Sequence, residues 1–147
     1  MGIVVIGAAF VDIKGFPQDI YIPDGRNVGR IEYIHGGVSR NVVEDIANVE
    51  LRPTYVGIVD DTPLGQDVLK KLQNHKVHTD YVLVLPDVMG TWLAVFDNNG
   101  DVAGSISQRP HMLPFVDLLR DMADEIFHIA HSSVLVVNSV REITKAA

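Results

Sequence analysis

The chain has 147 residues, 47% hydrophobic and 21% charged, with no cysteine and a net charge of −7 at pH 7. That describes one globular unit resting on a hydrophobic core rather than on disulfides or thiolate metal sites. The acidic balance, with twelve Lys and Arg that form no long run, argues against a nucleic-acid partner and against a membrane surface, since both are met by clustered cations.

The longest apolar stretch, Ile3 to Val11, is interrupted by Gly7 and is far short of the roughly 20 residues a membrane helix needs. No basic segment precedes it, so the expectation is a mature cytoplasmic protein. Ile3-Val4-Val5-Ile6 is short, β-branched and continuously apolar, which predicts a strand buried on both faces near the middle of a parallel sheet. Ile20-Tyr21-Ile22 and Arg30 to Ile34 alternate around Pro23-Asp24-Gly25 turn chemistry, predicting two half-exposed strands between 19 and 35. After Gly36-Gly37, the spacing of Val42, Val43, Ile46, Ala47 and Val49 predicts a helix over 38–49 with Ser39 as its cap. Thr54 to Val59 repeats the buried-strand composition, and Thr62-Pro63 opens a helix carrying Leu64, Val68, Leu69 and Leu72.

Tyr81 to Leu85 predicts a further strand. Leu93 to Phe96, turning through Asp97-Asn98-Asn99-Gly100 into Val102-Ala103, predicts a hairpin within 91–105. Pro114 starts a helix with Phe115, Val116, Leu118, Leu119 and Met122 inward, followed by short strands at Glu125 to Ile129 and Val134 to Val137. Ser139 and Glu142 form a capping box for one more helix. A crossover helix returns the chain to another parallel strand, and none follows Ala147, so the sheet is expected to be cut short. The chain is an α/β unit, a mainly parallel sheet flanked by helices with two β-rich excursions.

Two segments carry candidate chemistry. Gly7-Ala8-Ala9-Phe10-Val11-Asp12 follows a strand, and in open α/β sheets ligands gather at the carboxyl ends of strands, where an Asp can accept hydrogen bonds from substrate hydroxyls; a turn or capping Asp is the alternative. A dinucleotide site would need three glycines where only Gly7 stands. Gly36-Gly37-Val38-Ser39-Arg40-Asn41 lets backbone approach a ligand closely and offers a helix N-terminus with an amide side chain in its first turn; a tight turn with solvated Arg40 and Asn41 is the alternative. His75/His78 and His128/His131 are spaced three apart without a third ligand, which predicts no metal site. Trp92, the single tryptophan, lies on the hairpin, as packing or as a stacking face for a ring. No Gly-x-Ser-x-Gly or Walker motif occurs.

Taken in order, these segments with Val56 to Gly65 and Gly90 to Asp101 resemble the N-terminal half of the PfkB, or ribokinase-like, carbohydrate kinases along all 147 residues. The resemblance implies a ribokinase-like fold with a small β lid formed near 13–36 and 88–106, the C-terminal part of the fold being absent. It implies that Asp12, Gly36, Gly37 and Asn41 hold sugar hydroxyls, that Trp92 and Ala94 face the sugar from the lid, and that Asn138 completes the pocket. The Gly-Gly-Val-Ser-Arg-Asn form is similar to pseudouridine kinase-like members, which points towards a nucleoside. Asn41-Val42-Val43-Glu44 also spells the family's Asn-x-x-Glu phosphate and metal motif, but that motif belongs to the second half of the fold, and here it is taken as coincidence.

Family members place a catalytic base in a Gly-Ala-Gly-Asp segment, which this sequence lacks. The implied function is ATP-dependent phosphorylation of a sugar or nucleoside hydroxyl by a full-length enzyme using ATP and Mg²⁺. This chain would supply the substrate-binding half, inactive and without ATP or metal by itself, and would form a homodimer through the lid. The alternative is a non-catalytic sugar- or nucleoside-binding remnant or a structural one.

Overall fold

The computed structural model describes residues 2–125 and the backbone of 134–137. They form two four-stranded sheets. The first has the order β5 (His78–Leu85), β4 (Thr54–Asp60), β1 (Ile3–Ile6) and β8 (Val134–Val137), all parallel. β1 is interior, as its unbroken β-branched run predicts, and only a strand covered on both faces can bury the successive side chains of Val4, Val5 and Ile6.

Alternation along the strands divides the core in two. Val5, Tyr55 and Val59 point towards α1 (Val38–Asn48) and α2 (Pro63–Asn74), packing on Val43, Ala47, Val68 and Leu72. Val4, Ile6, Val56 and Ile58 point the other way, onto Phe115 of α3 (Leu113–Asp121). Leu118, Leu119 and Met122 of the predicted inward set pack there too. Glu125, expected in a strand, is helical. The remainder of that strand, 126–129, and the helix expected from Ser139 lie outside the described residues.

The helix starts differ in one respect from the sequence prediction. Thr62 caps α2 as expected, its Oγ1 accepting the Gly65 N–H at 3.3 Å, with Pro63 in the first turn. Ser39 does not cap α1: Gly37 occupies that position, and the buried Ser39 hydroxyl donates to the Ile6 carbonyl at 3.3 Å. One residue inside the helix, the hydroxyl meets the carbonyl at the end of β1 instead.

The second sheet has the order β3 (Gly29–Gly36), β2 (Phe10–Pro17), β6 (Gly90–Phe96) and β7 (Val102–Gln108). β2 is antiparallel to β3 and parallel to β6, and β6 and β7 form the predicted hairpin. At its turn the Asp97 carboxylate accepts the Asn99 and Asp101 N–H groups, and Gly100 takes a positive φ of 86°. The expectation of a strand at Ile20 to Ile22 is not met; the strand is Phe10–Pro17 instead. Ile20 is 82% exposed, and the backbone N–H groups of Tyr21 and Ile22 are taken by Asn98 and Asn27 side chains at 2.6 and 2.8 Å. With side-chain partners for its amides and no apolar surface to cover, the triplet stays a loop.

Candidate functional site

The two sheets meet where β1 passes into β2. The Gly7 N–H donates to the Val56 carbonyl at 3.1 Å, and the wholly buried Tyr55 hydroxyl donates to the Gly7 carbonyl at 2.8 Å. Burial pushes the Tyr55 phenol well above its usual range, so it stays protonated and a donor. Ala8 and Ala9 are buried, and their smallness is used by the start of α1. A Cβ on Gly37 would lie 2.8 Å from the Ala8 carbonyl oxygen and 3.2 Å from the Ala9 Cα, and φ there is +94°. Glycine at 37 therefore satisfies both a close approach and a left-handed backbone.

Asp12 lies on β2 rather than in a loop at the end of β1, because the chain turns at Gly7-Ala8-Ala9 and resumes extended structure at Phe10. It pairs with Ile34 of β3 and with Trp92 of β6. Its carboxylate lies over Gly36, where a Cβ would come within 2.7–2.9 Å of both oxygens and Cγ. The two glycines thus serve different ends: Gly36 makes room for a carboxylate, and Gly37 lets α1 dock on the β1–β2 turn.

Directly paired residues on neighbouring strands share a face, so Asp12, Trp92 and Ala94 stand on one side of the second sheet with Lys14 and Phe16. Trp92 is half-buried and meets Phe96 edge-on at 6.4 Å, Phe96 stacks on Phe16 at 4.9 Å, and the Arg30 guanidinium lies 4.3 Å over the Phe16 ring. This row holds the indole from behind. Ala94 is fully buried between Trp92 and Phe96 in the strand, so it supplies space rather than an open contact. Asn41 sits one turn into α1, exposed, its N–H bonded to the Gly37 carbonyl at 2.9 Å. Asn138 lies outside the described residues.

Three features were not apparent in the sequence. Arg40, a candidate for a solvated side chain, is 7% exposed and binds Glu44, the Asn41 side-chain oxygen and the His35 carbonyl. Its i,i+4 spacing from Glu44 was the available signal. His35 Nε2 also lies 2.9 Å from an Asp67 carboxylate oxygen, joining the foot of β3 to α2. Asp60 accepts the Val88 and Met89 N–H groups at 2.7 and 2.8 Å and so fixes the connection that delivers β6. His75, half of a spacing considered for metal, lies 3.4 Å from Glu44, and His78 is exposed. His128 and His131 lie outside the described residues. Among the described residues no group of three or more His, Cys, Asp or Glu is placed to hold a metal ion, and no helix is long and apolar enough to cross a membrane.

The pfkB family carbohydrate kinase model matches residues 2–144. The chain is 40% identical over 109 residues to the guanosine-inosine kinase of Exiguobacterium acetylicum, covering 74% of this chain and 36% of that protein. It is 26% identical over 106 residues to the pseudouridine kinase of Escherichia coli strain K12, covering 71% of this chain and 34% of that one. It thus spans about a third of the length of these relatives. Among solved structures it resembles Arabidopsis thaliana ribokinase complexed with ribose and ATP, with a TM-score of 0.62 and 17% identity, over 82% of this chain and 42% of that one. That likeness supports the ribokinase-like α/β fold, and the family match, which runs nearly end to end and includes the Asp12, Gly36-Gly37 and Trp92 segments, makes this chain a member of the pfkB family of carbohydrate kinases.

Proposed function

We propose that the chain is the acceptor-binding portion of a kinase that phosphorylates a nucleoside hydroxyl, with Asp12, Gly36, Gly37, Asn41, Trp92, Ala94 and Asn138 forming the substrate pocket and the second sheet acting as its lid. The observation that carries this reading is the Asp12 carboxylate, seated over Gly36 on the same face as a half-buried indole. A carboxylate only accepts hydrogen bonds and so suits sugar hydroxyls. A tryptophan held by Phe96 offers a flat surface for a base. The 40% identity to a guanosine-inosine kinase supports a nucleoside over a free sugar.

Phosphoryl transfer requires charge on the transferring group and a group that receives the hydroxyl proton. Asp12 is assigned to binding, not to proton removal, and the sequence has no Gly-Ala-Gly-Asp segment to supply the base. This chain alone is accordingly expected to bind acceptor without turnover. Calorimetric titration with inosine and pseudouridine tests the reading. Asp12→Ala is expected to weaken binding by about 1.5–3 kcal/mol, the range for a charge-assisted hydrogen bond, and Trp92→Ala by about 1–3 kcal/mol, the range for base stacking. Undiminished binding by Asp12→Ala, or no binding by wild type, overturns it; tight MgATP binding by this chain would overturn the division of labour.

The opposite face of the second sheet supports a homodimer. Tyr33, Ile13, Leu93 and Ile106 are paired in one row across all four strands. Of these, Tyr33, Leu93 and Ile106 are exposed, as are Ile31 and Val95 on the same face. A contiguous apolar face of this kind marks an association surface, and a two-fold axis would pair it with itself. Light scattering is expected to give a dimer that Ile106→Lys converts to monomer, while a wild-type monomer at high concentration removes the proposal.

A further inference from the structure

Arg40 lies in the first turn of α1, beside the proposed ligand-binding Asn41, and is almost wholly withdrawn from water. A buried guanidinium persists only with compensating charge and well-placed acceptors. Glu44, one turn on, supplies the charge. Nη2 donates to the His35 carbonyl at 3.0 Å and also to the Asn41 side-chain oxygen, while Nε has no partner among the described residues.

Glu44 is itself fixed from α2 by Lys71 Nζ at 3.0 Å, with His75 Nδ1 3.4 Å away but not hydrogen-bonded. Burial would push its carboxyl up, but the Lys71 hydrogen bond and the charges of Arg40, Lys71 and His75 hold it below its usual range. The guanidinium is thus clamped between a carboxylate anchored on a second helix and a carbonyl at the foot of β3. Movement of either end would break one of these contacts.

We propose that Arg40 is a positioning residue for the acceptor site, orienting the Asn41 amide so that its oxygen is occupied and its NH₂ group is presented as a donor. An amide offers one acceptor oxygen and two donor hydrogens, and Arg is a donor only, so contact with Arg40 decides which end is turned inward. The functional meaning rests on the proposed role of Asn41 in binding acceptor, whereas the orientation belongs to the chain without ligand. A site made from an Asn41 donor and the Asp12 acceptor suits hydroxyl groups, which accept from one and donate to the other.

The test reads the Asn41 side-chain amide resonances in ¹⁵N-labelled protein, assigned by their loss in Asn41→Asp, together with inosine titration. In Arg40→Lys, a cation remains opposite Glu44 but the fork that reaches two acceptors is gone; in Arg40→Met the charge is lost as well. Both variants are expected to shift the Asn41 amide pair while the backbone spectrum keeps its dispersion. Both should bind inosine at least tenfold more weakly, lysine giving no rescue. A purely structural role would let Arg40→Lys retain wild-type affinity.

An unmoved Asn41 pair in a folded variant overturns the inference, as does a moved pair with unchanged inosine affinity. If Arg40→Met does not fold, Arg40→Lys and Glu44→Gln, which releases the guanidinium from its anchor, decide the same question. If wild type binds neither inosine nor pseudouridine, the nucleoside reading falls, and the amide resonances alone judge Arg40.

Discussion

Gly37→Ala is expected to destabilise the chain by about 2–5 kcal/mol. The left-handed backbone costs a side chain about 1–2 kcal/mol, and forcing a methyl into filled space costs about 1–3 more. At Gly37 both apply, since φ is +94° and the added carbon would sit 2.8 Å from the Ala8 carbonyl oxygen and 3.1 Å from the Phe10 nitrogen. Relief requires α1 to move off the β1–β2 turn, which would carry Asn41 and Arg40 with it. Gly100 provides the control: its φ is +86°, and nothing lies within 4 Å of an added Cβ. Gly100→Ala should therefore lose only the conformational part. Urea unfolding of the two variants separates the contributions, and equal losses would mean that close packing is not what requires glycine at 37.

Phe115→Ala should cost about 3–5 kcal/mol, the range for emptying a buried aromatic site. Phe115 is fully buried and is the side chain through which α3 enters the cluster of Val4, Ile6, Val56, Ile58 and Val88. Against a total stability of about 5–15 kcal/mol for a typical domain, that loss is large enough to leave a substantial unfolded population. Phe115→Leu, closer in volume and still apolar, should cost less than half as much. Denaturant midpoints distinguish these values, and an alanine variant within about 1 kcal/mol of wild type would show that the helix does not depend on this contact.

The parallel sheet was legible because its evidence is local. Ile3–Ile6 and Thr54–Asp60 advertise two-sided burial by composition, and Thr62-Pro63 marks the start of α2 by capping chemistry. The β6–β7 hairpin was equally plain from its turn residues. β2 was hidden, although Val11-Asp12-Ile13-Lys14 alternates cleanly, because it follows an apolar run closely and lacks a turn residue after Gly7. Ile20-Tyr21-Ile22 misled for the converse reason, being apolar in sequence with nothing in space to bury it.

The site was legible in its residue types and not in their arrangement. Asp12 and the glycine pair stand out in the chain, but that Gly36 is bare because the Asp12 carboxylate lies over it depends on strand register. The carboxylate that pairs with Arg40, Glu44, is approached by Lys71 and His75 from another helix, which no local pattern reveals.

The parallel pairing of β2 with β6 sets a timetable for synthesis. Asp12 faces Trp92, about eighty residues later in the chain, and at roughly 5–20 residues per second a ribosome takes on the order of 4–16 s to make that interval. During that time the β2–β3 hairpin can close, but the edge of β2 that β6 will occupy remains unpaired, open to any other extended strand nearby. The carboxylate and the indole are brought together only after the scaffold between them has been made, so conditions that slow translation between α2 and β6 lengthen the exposure of an adhesive edge without altering the finished fold.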